Sequence, residues 1–354
     1  MSQSRQNNFD LIRLLAAIQV MLYHGLTFFN LGTPWQVPLR NIVSYFPGVP
    51  IFFAISGFLI YKSLERNSQD LKRYFKNRLI RIFPALWVCL LFTITLLFLA
   101  NQITLSSILS APFATWFLAQ ISIAQFYKIP LLSNWGVGHP NGSLWSISVE
   151  LQYYFFLPLL FISILRLKNS LLFKNTVFFV IALISIFYNQ YREIVLLDNE
   201  LTGKILGVVL VNYLYFFCFG ILIHLNFNRL KKFLIGKGGL WLIVFIAYNL
   251  IFKTWLGWFH TVYETSLWGV IGASLLAIAT ISLAYSFTTL SQRLLKGNDI
   301  SYGIYIYHMP IFNYFYHQQS QISSAKLIGI TALVILAATL SWQFVESRLL
   351  KFKA

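Results

Sequence analysis

The sequence predicts an all-α, polytopic integral membrane protein with about ten transmembrane helices and both termini in the cytoplasm. Three observations carry that prediction. Of the 354 residues 58% are hydrophobic and only 10% are charged, against about a quarter charged in soluble domains. Apolar runs close to the ~20 residues that cross a bilayer recur along the whole chain. Basic residues gather in alternate connections, as the positive-inside rule requires.

The runs lie near 10–30, 47–62, 82–100, 144–165, 171–190, 204–225, 233–252, 266–287, 300–318 and 326–346. With the N-terminus inside, 21 of the 27 Lys and Arg residues face the cytoplasm, and Arg40, Lys128, Arg192, Lys204, Lys253 and Lys326 face outward. Residues 105–127 are fairly apolar but contain Pro112, Gln120 and Gln125. An eleventh crossing there would leave 14 basic residues inside against 13 outside and erase the bias, so the stretch reads as an outer interfacial or re-entrant piece. The first run carries Arg13, Gln19 and His24 and has no small-residue cleavage site, so it reads as a helix that stays in the protein and not as a signal peptide. Residues 1–354 read as a single membrane domain with no fused soluble domain.

The net charge of +17 does not indicate nucleic acid, because the cations are scattered over short loops and build no continuous stripe. Cys89 and Cys218 fall inside apolar runs and read as packing residues. No metal site is expected.

What remains informative is the set of polar residues inside the spans. Arg13 and His24 are eleven residues apart, about 20° past three full turns and roughly 16 Å along the axis, so they share a face at different depths. Arg13 alone fits a topology anchor that reaches back to headgroups. His24 lies well inside the run, where an ionisable residue needs a polar interior or a partner, and an imidazole there suits a general base. Arg78 and Arg81, three residues apart at the opening of the third helix, share one face; forked guanidinium groups can grip phosphates, although basic residues at a cytoplasmic helix end also serve topology. In the segment Asn141 to Glu150, Asn-Gly marks a turn, and Ser143, Ser146 and Glu150 follow on one face, with Trp145 between them in the sequence. Ser301, Tyr305 and His308 form another polar stripe beside Pro310. His139, His224, His260 and His317 lie at span ends or in loops and are assigned no role.

Taken in order, these segments resemble the acyltransferase family 3 membrane proteins, which acylate cell-surface sugars and related molecules. The likeness rests on Phe9-Asp10-Leu11-Ile12-Arg13 with His24, on Gly48-Val49-Pro50-Ile51-Phe52-Phe53 with Ser56-Gly57-Phe58, and on Arg78-x-x-Arg81-Ile82-Phe83-Pro84. It continues through Asn141-Gly142-Ser143-Leu144-Trp145-Ser146 and Glu150 to Ser301-Tyr302-Gly303-Ile304-Tyr305 with His308. The resemblance implies that His24 acts in acyl transfer with Arg13 in support, and that Arg78 and Arg81 hold an acyl-CoA donor. Ser143, Trp145, Ser146, Tyr305 and His308 would line the site, with Glu150 or another buried polar group orienting the imidazole.

On this reading the protein is a membrane O-acyltransferase of the stand-alone type in the bacterial inner membrane. Its donor substrate is acetyl-CoA or another acyl-CoA, with no bound cofactor, and its acceptor is a hydroxyl of a surface or lipid-linked carbohydrate such as O-antigen or exopolysaccharide. Direct transfer and a covalent acyl-histidine both stay open. The alternative from another class is a transporter or flippase for a lipid-linked sugar, in which buried Arg, His and Glu form a substrate or proton path.

Overall fold

Apolar runs punctuated by charged and turn-forming residues become helices. The computed structural model describes residues 7–66, 70–165, 170–195 and 206–352, and among these the regular structure is helical apart from one isolated bridge between Asn30 and Gln321. Arg5, Arg166, Lys168, Lys204 and Lys353 of the charge count lie outside the described residues. The helices are α1 (Phe9–Phe28), α2 (Gln36–Ser44), α3 (Gly48–Arg66), α4 (Leu71–Leu99), α5 (Leu105–Ile108), α6 (Ala111–Ile121), α7 (Trp145–Leu160) and α8 (Leu171–Val195). They continue with α9 (Leu214–Leu225), α10 (Phe227–Leu234), α11 (Gly238–Tyr248), α12 (Leu267–Ala284), α13 (Leu290–Leu295), α14 (Ser301–Gln318) and α15 (Ser324–Ser341).

Among the described residues, eight helical stretches are long and apolar enough to cross a membrane. The chain is an all-α polytopic membrane protein. Two of the ten predicted spans fall short of that measure for different reasons. α9 is strongly apolar but has 12 residues, about 18 Å of helix. α14 has 18 residues but carries Ser301, His308, Asn313, His317 and Gln318 along its length.

Two boundaries differ from the sequence reading in ways that matter for the site. α4 begins at Leu71, not near 82, because Leu71 to Lys76 are mostly good helix formers and the helix extends through its basic segment. Arg78 and Arg81 therefore lie two to three turns inside a 29-residue helix and do not open it. The stretch 105–127 breaks into helices of 4 and 11 residues, each far short of the ~20 that span a bilayer. Its Phe113 and Trp116 pack with Leu90 and Leu97 of α4 and with Ile129, Leu132 and Trp135. Gln120 donates to the carbonyls of Gln125 and Tyr127 at 3.2 and 3.3 Å, and Gln125 accepts from the Ser148 hydroxyl, so the two glutamines that interrupt the apolar run close this connection.

The chain divides into two compact units. The first holds Met1–Ala16, Tyr45–Leu71 and Gln152–Gly297. There α3 and α9 approach so closely that a Cβ on Gly57 would stand 2.1 Å from the Phe217 carbonyl oxygen, and one on Gly220 2.1 Å from that of Ala54. Small residues that let backbones meet are the usual basis of helix packing where lipid removes the hydrophobic drive. The same unit holds an ionic group in which Glu65 meets His224 Nε2 at 3.0 Å and Lys174 Nζ at 3.6 Å.

The second unit holds Ala17–Ser44, Lys72–Leu151 and Asn298–Ala354. Its α14 and α15 repeat the small-residue device: a Cβ on Gly303 would meet the Ala338 Cα at 2.8 Å. α14 is buried from Ser301 to Asn313 with the exception of half-buried Tyr302, which makes its polar residues a fixed interior scaffold.

Candidate active site

Pro310 sets the local structure of α14. Without an N–H it cannot bond the carbonyl four residues back, and in lipid a bare carbonyl must find another donor. That carbonyl belongs to Ile306. Asn141 Nδ2 donates to it at 2.8 Å, and the Cys89 thiol contacts the same oxygen at 3.2 Å. Cys89, read from sequence as a packing residue, thus also helps satisfy α14.

The turn that begins at Asn141 is fastened to α14 by further bonds. Ser143 Oγ donates to Asn141 Oδ1 at 2.8 Å, the Tyr305 hydroxyl donates to the Ser143 carbonyl at 3.0 Å, and Ser146 and Tyr305 share a hydroxyl contact. Ser143, Ser146 and Tyr305 are buried, and Trp145 is the half-buried first residue of α7. One turn beyond Met309, Asn313 holds the preceding loop. It accepts from Val137 N at 3.0 Å and donates to the carbonyls of His139 and Pro140. Gly136, at φ +57°, lets it approach, since a Cβ there would lie 2.2 Å from Asn313 Oδ1.

This scaffold presents His308, fully buried, to His24 on α1, which keeps some exposure. His24 Nδ1 and His308 Nε2 are 2.9 Å apart, and the rings lie nearly parallel with centroids 5.2 Å apart. His308 Nδ1 faces the Ile304 carbonyl at 3.2 Å. A carbonyl only accepts, so in the neutral pair the proton of His308 sits on Nδ1, its Nε2 accepts from His24 Nδ1–H, and His24 Nε2 is left with its lone pair. Phe28 stacks on the His24 ring, centroids 5.1 Å apart and planes 14° apart, and holds it in plane. An oriented imidazole with an unprotonated Nε2 is what proton abstraction from a hydroxyl requires.

The other sequence-predicted residues are placed as follows. Arg13 pairs with Asp10 one turn earlier on α1, 3.3 Å apart. Arg81 forms an ion pair with Asp299, whose Oδ1 also accepts from the Ser301 backbone N–H and hydroxyl at the start of α14. Arg78 lies over the Tyr74 ring at 5.7 Å, and both Arg78 and Glu150 are within electrostatic reach of Tyr74. Sequence reasoning passed over Asp299, Asn313 and Glu346. The last is a buried carboxylate that accepts from Ser341 Oγ at 3.2 Å and lies within electrostatic reach of Arg81 and Asp299. Asp299 had a readable signal in the order Asp-Ile-Ser ahead of an apolar run, which suits a helix start; nothing local marks the other two.

α14 acts as a ruler for the second unit. Asp299, with Arg81, stands at its N-terminal end; His308 lies nine residues on, about 13 Å, and the helix ends some 15 Å beyond that. An ion-paired end, a histidine pair mid-helix and an opposite end are thus set out along one element.

The family model for the acyltransferase domain, Acyl_transf_3, matches residues 6–345. The chain belongs to acyltransferase family 3. Nodulation protein 10 of Rhizobium leguminosarum bv. viciae is 30% identical over 365 residues, covering 99% of this acyltransferase and 95% of the relative. O-acetyltransferase OatA of Staphylococcus aureus is 26% identical over 375 residues, covering 98% of this chain but 57% of the relative. The acyltransferase therefore spans nearly the full length of the first relative and a little over half of the second. No solved structure matches it.

Proposed function

We propose that this acyltransferase moves an acyl group, acetyl from acetyl-CoA in the simplest case, onto a hydroxyl of a cell-surface or lipid-linked carbohydrate at the bacterial inner membrane. The observation that carries the reading is the His24–His308 pair, which leaves one imidazole nitrogen as a base inside a membrane helix. The O-acetyltransferase name of a relative supports the choice of acetyl and of an oxygen acceptor.

His24 Nε2 takes the proton of the acceptor hydroxyl as its oxygen attacks the thioester carbonyl. The tetrahedral intermediate collapses with cleavage of the C–S bond, and the thiolate leaves as CoA with the proton that His24 returns. Phosphates of the donor bind Arg78 and Arg81. Asp299 already holds Arg81, so the guanidinium arrives oriented. Arg13 supports α1 through Asp10, and Glu150 balances the charge around Tyr74.

The test is the His24→Ala variant, checked for insertion and expression, with surface-glycan mass spectra as the readout. The acyl mass increment falls at least about 100-fold, the scale of general-base contributions. Normal acylation in a stably inserted variant overturns the assignment. Rapid-quench mass spectrometry of the wild-type protein with acetyl-CoA alone separates the chemistries, since an acetylated His24 peptide makes His24 the nucleophile.

A further inference from the structure

Beyond Phe28 and Gln318, where α1 and α14 end, the second unit has a basin of about 510 Å³ lined by Leu31, Gln319, Gln321, Ile322, Ser323 and Lys326. Its two rims are tied together: Asn30 N donates to the Ser320 carbonyl at 2.9 Å, and Ile322 N donates to the Asn30 carbonyl at 3.0 Å. The volume falls in the range of small-ligand sites, yet the lining is mostly polar, unlike the apolar walls that fit a fatty chain.

The chemistry of that lining is specific. Gln319 and Gln321 each offer both a donor and acceptors, as a hydroxyl does, so amides of this kind match rows of sugar hydroxyls. Among the described residues, Lys326 is the one charged lining residue. Its Nζ donates to Gln319 Oε1 at 3.2 Å, which fixes the ammonium at the basin wall with other donors still to give. Ser323 caps α15 by accepting from Lys326 N at 3.2 Å, and its hydroxyl hydrogen is available for a ligand.

The basin is also close to the histidines. Leu327, next to Lys326, has its Cδ1 3.2 Å from where a Cβ on Gly25 would stand, and Gly25 follows His24 directly. Leu31 is seven residues past His24: four of them run in α1, about 6 Å, and three lie beyond its end at up to ~3.5 Å each, so the two are at most about 17 Å apart along the chain. An oligosaccharide of a few rings covers that distance. The Arg81–Asp299 pair lies at the other end of α14.

We infer that this basin is the acceptor subsite and that it takes a hydroxyl-rich sugar carrying a negative charge, with the carboxylate or phosphate on Lys326 and ring hydroxyls on Gln319 and Gln321. The inference rests on the acyl-transfer reading for what happens to the sugar, and on the basin alone for its binding.

The experiment uses the full chain purified in detergent and ligand-observed NMR with two probes: cellobiouronic acid, a disaccharide bearing one glucuronate, and neutral cellobiose. The acidic probe binds more tightly than the neutral one. Lys326→Ala weakens the acidic probe about fivefold, the scale of an exposed ion pair, and removes the preference, whereas Lys326→Arg keeps it. Gln321→Ala weakens both probes. Melting temperatures of the variants match wild type, since Gln321 is exposed and Lys326 is only half-buried. Binding of neither probe, or an acidic preference that survives Lys326→Ala, overturns the subsite. Thermal protection of the same wild-type sample by acetyl-CoA is measured in parallel. If the disaccharides behave as stated and acetyl-CoA gives no protection, the donor reading fails and the subsite stands.

Discussion

His224 in the first unit and His24 in the second both sit on helices among aromatic rings, and their polar partners set them apart. His224 meets Glu65 at 3.0 Å, and Glu65 also meets Lys174 at 3.6 Å, while Phe58 and Tyr61 pack edge-on against the imidazole. A carboxylate there is matched by an ammonium and an imidazole. His24 has another imidazole as its partner and no carboxylate in the pair, and the hydrogen-bond chain that starts at the Ile304 carbonyl ends on its Nε2 lone pair. The contrast teaches that an ionisable residue in a span is a functional candidate when its bonding leaves one reactive atom over. A compensated residue is structural even when its surroundings look alike.

The comparison is broken most directly at His308. His308→Leu removes the acceptor that fixes the His24 tautomer, and the acylation rate per inserted molecule drops about 10- to 100-fold. His308→Gln can still accept through Oε1 and donate to the Ile304 carbonyl through Nε2, so it retains several-fold more activity than the leucine variant. Equal rates for the two, measured as CoA release from acetyl-CoA in the presence of acceptor, would show that His308 does not orient His24.

Asn313 gives a large effect of the other kind. Asn313→Ala takes a donor from the His139 and Pro140 carbonyls and an acceptor from Val137 N. Leaving buried groups in this state lowers stability by about 1 to 3 kcal/mol, read as a lower melting temperature of the detergent-solubilised protein. In the first unit, Glu65→Gln and His224→Gln lower stability by about 1 kcal/mol or less, because the Glu65 side chain is one-third exposed and solvent screens it. Both leave acylation within about twofold of wild type. A 100-fold loss in either variant would erase the distinction between the two histidines.

Much of this was legible in the sequence, for physical reasons that can be named. Spans announce themselves by apolar length, and His24, Glu150 and His308 stand out because lipid makes ionisable residues costly. The register between helices is not legible. Nothing near residue 24 states that position 308 faces it, since contacts 284 residues apart depend on how α1 and α14 pack. The same holds for Asn141, Cys89 and the Ile306 carbonyl: Pro310 advertises a bare carbonyl, but not which side chains answer it. α4 was misjudged at its start because hydropathy marks where a helix enters lipid, while the helix itself continues through Lys72, Arg73 and Lys76 by backbone propensity. Gln120 and Gln125 correctly marked a break in an apolar run, yet that their amides close the connection emerges only from the fold.

A third histidine sharpens the contrast at its weakest end. His139 lies in the loop before α7, outside the spans, and its pKa is lowered from 6.5 to about 4, first by burial and then by the Lys128 ammonium. Like His24 it has, among the described residues, no ion-pair partner of the kind Glu65 gives His224, but its loop is held by Asn313 and it takes no part in the histidine pair. Between pH 6.5 and about 4 the unfolded chain binds a proton at this position that the folded chain does not. Stability from His139 is therefore fully present above pH 6.5 and is lost as the pH falls toward 4. The slope is at most about 1.4 kcal/mol per pH unit, reduced by the solvent that reaches the ring. Melting temperatures from pH 7 to pH 5 should fall less steeply in His139→Gln than in wild type, with acylation at pH 7 unchanged. Parallel curves would mean that the ring is hydrated in solution, and a loss of acylation at pH 7 would move His139 from the loop's support into the chemistry.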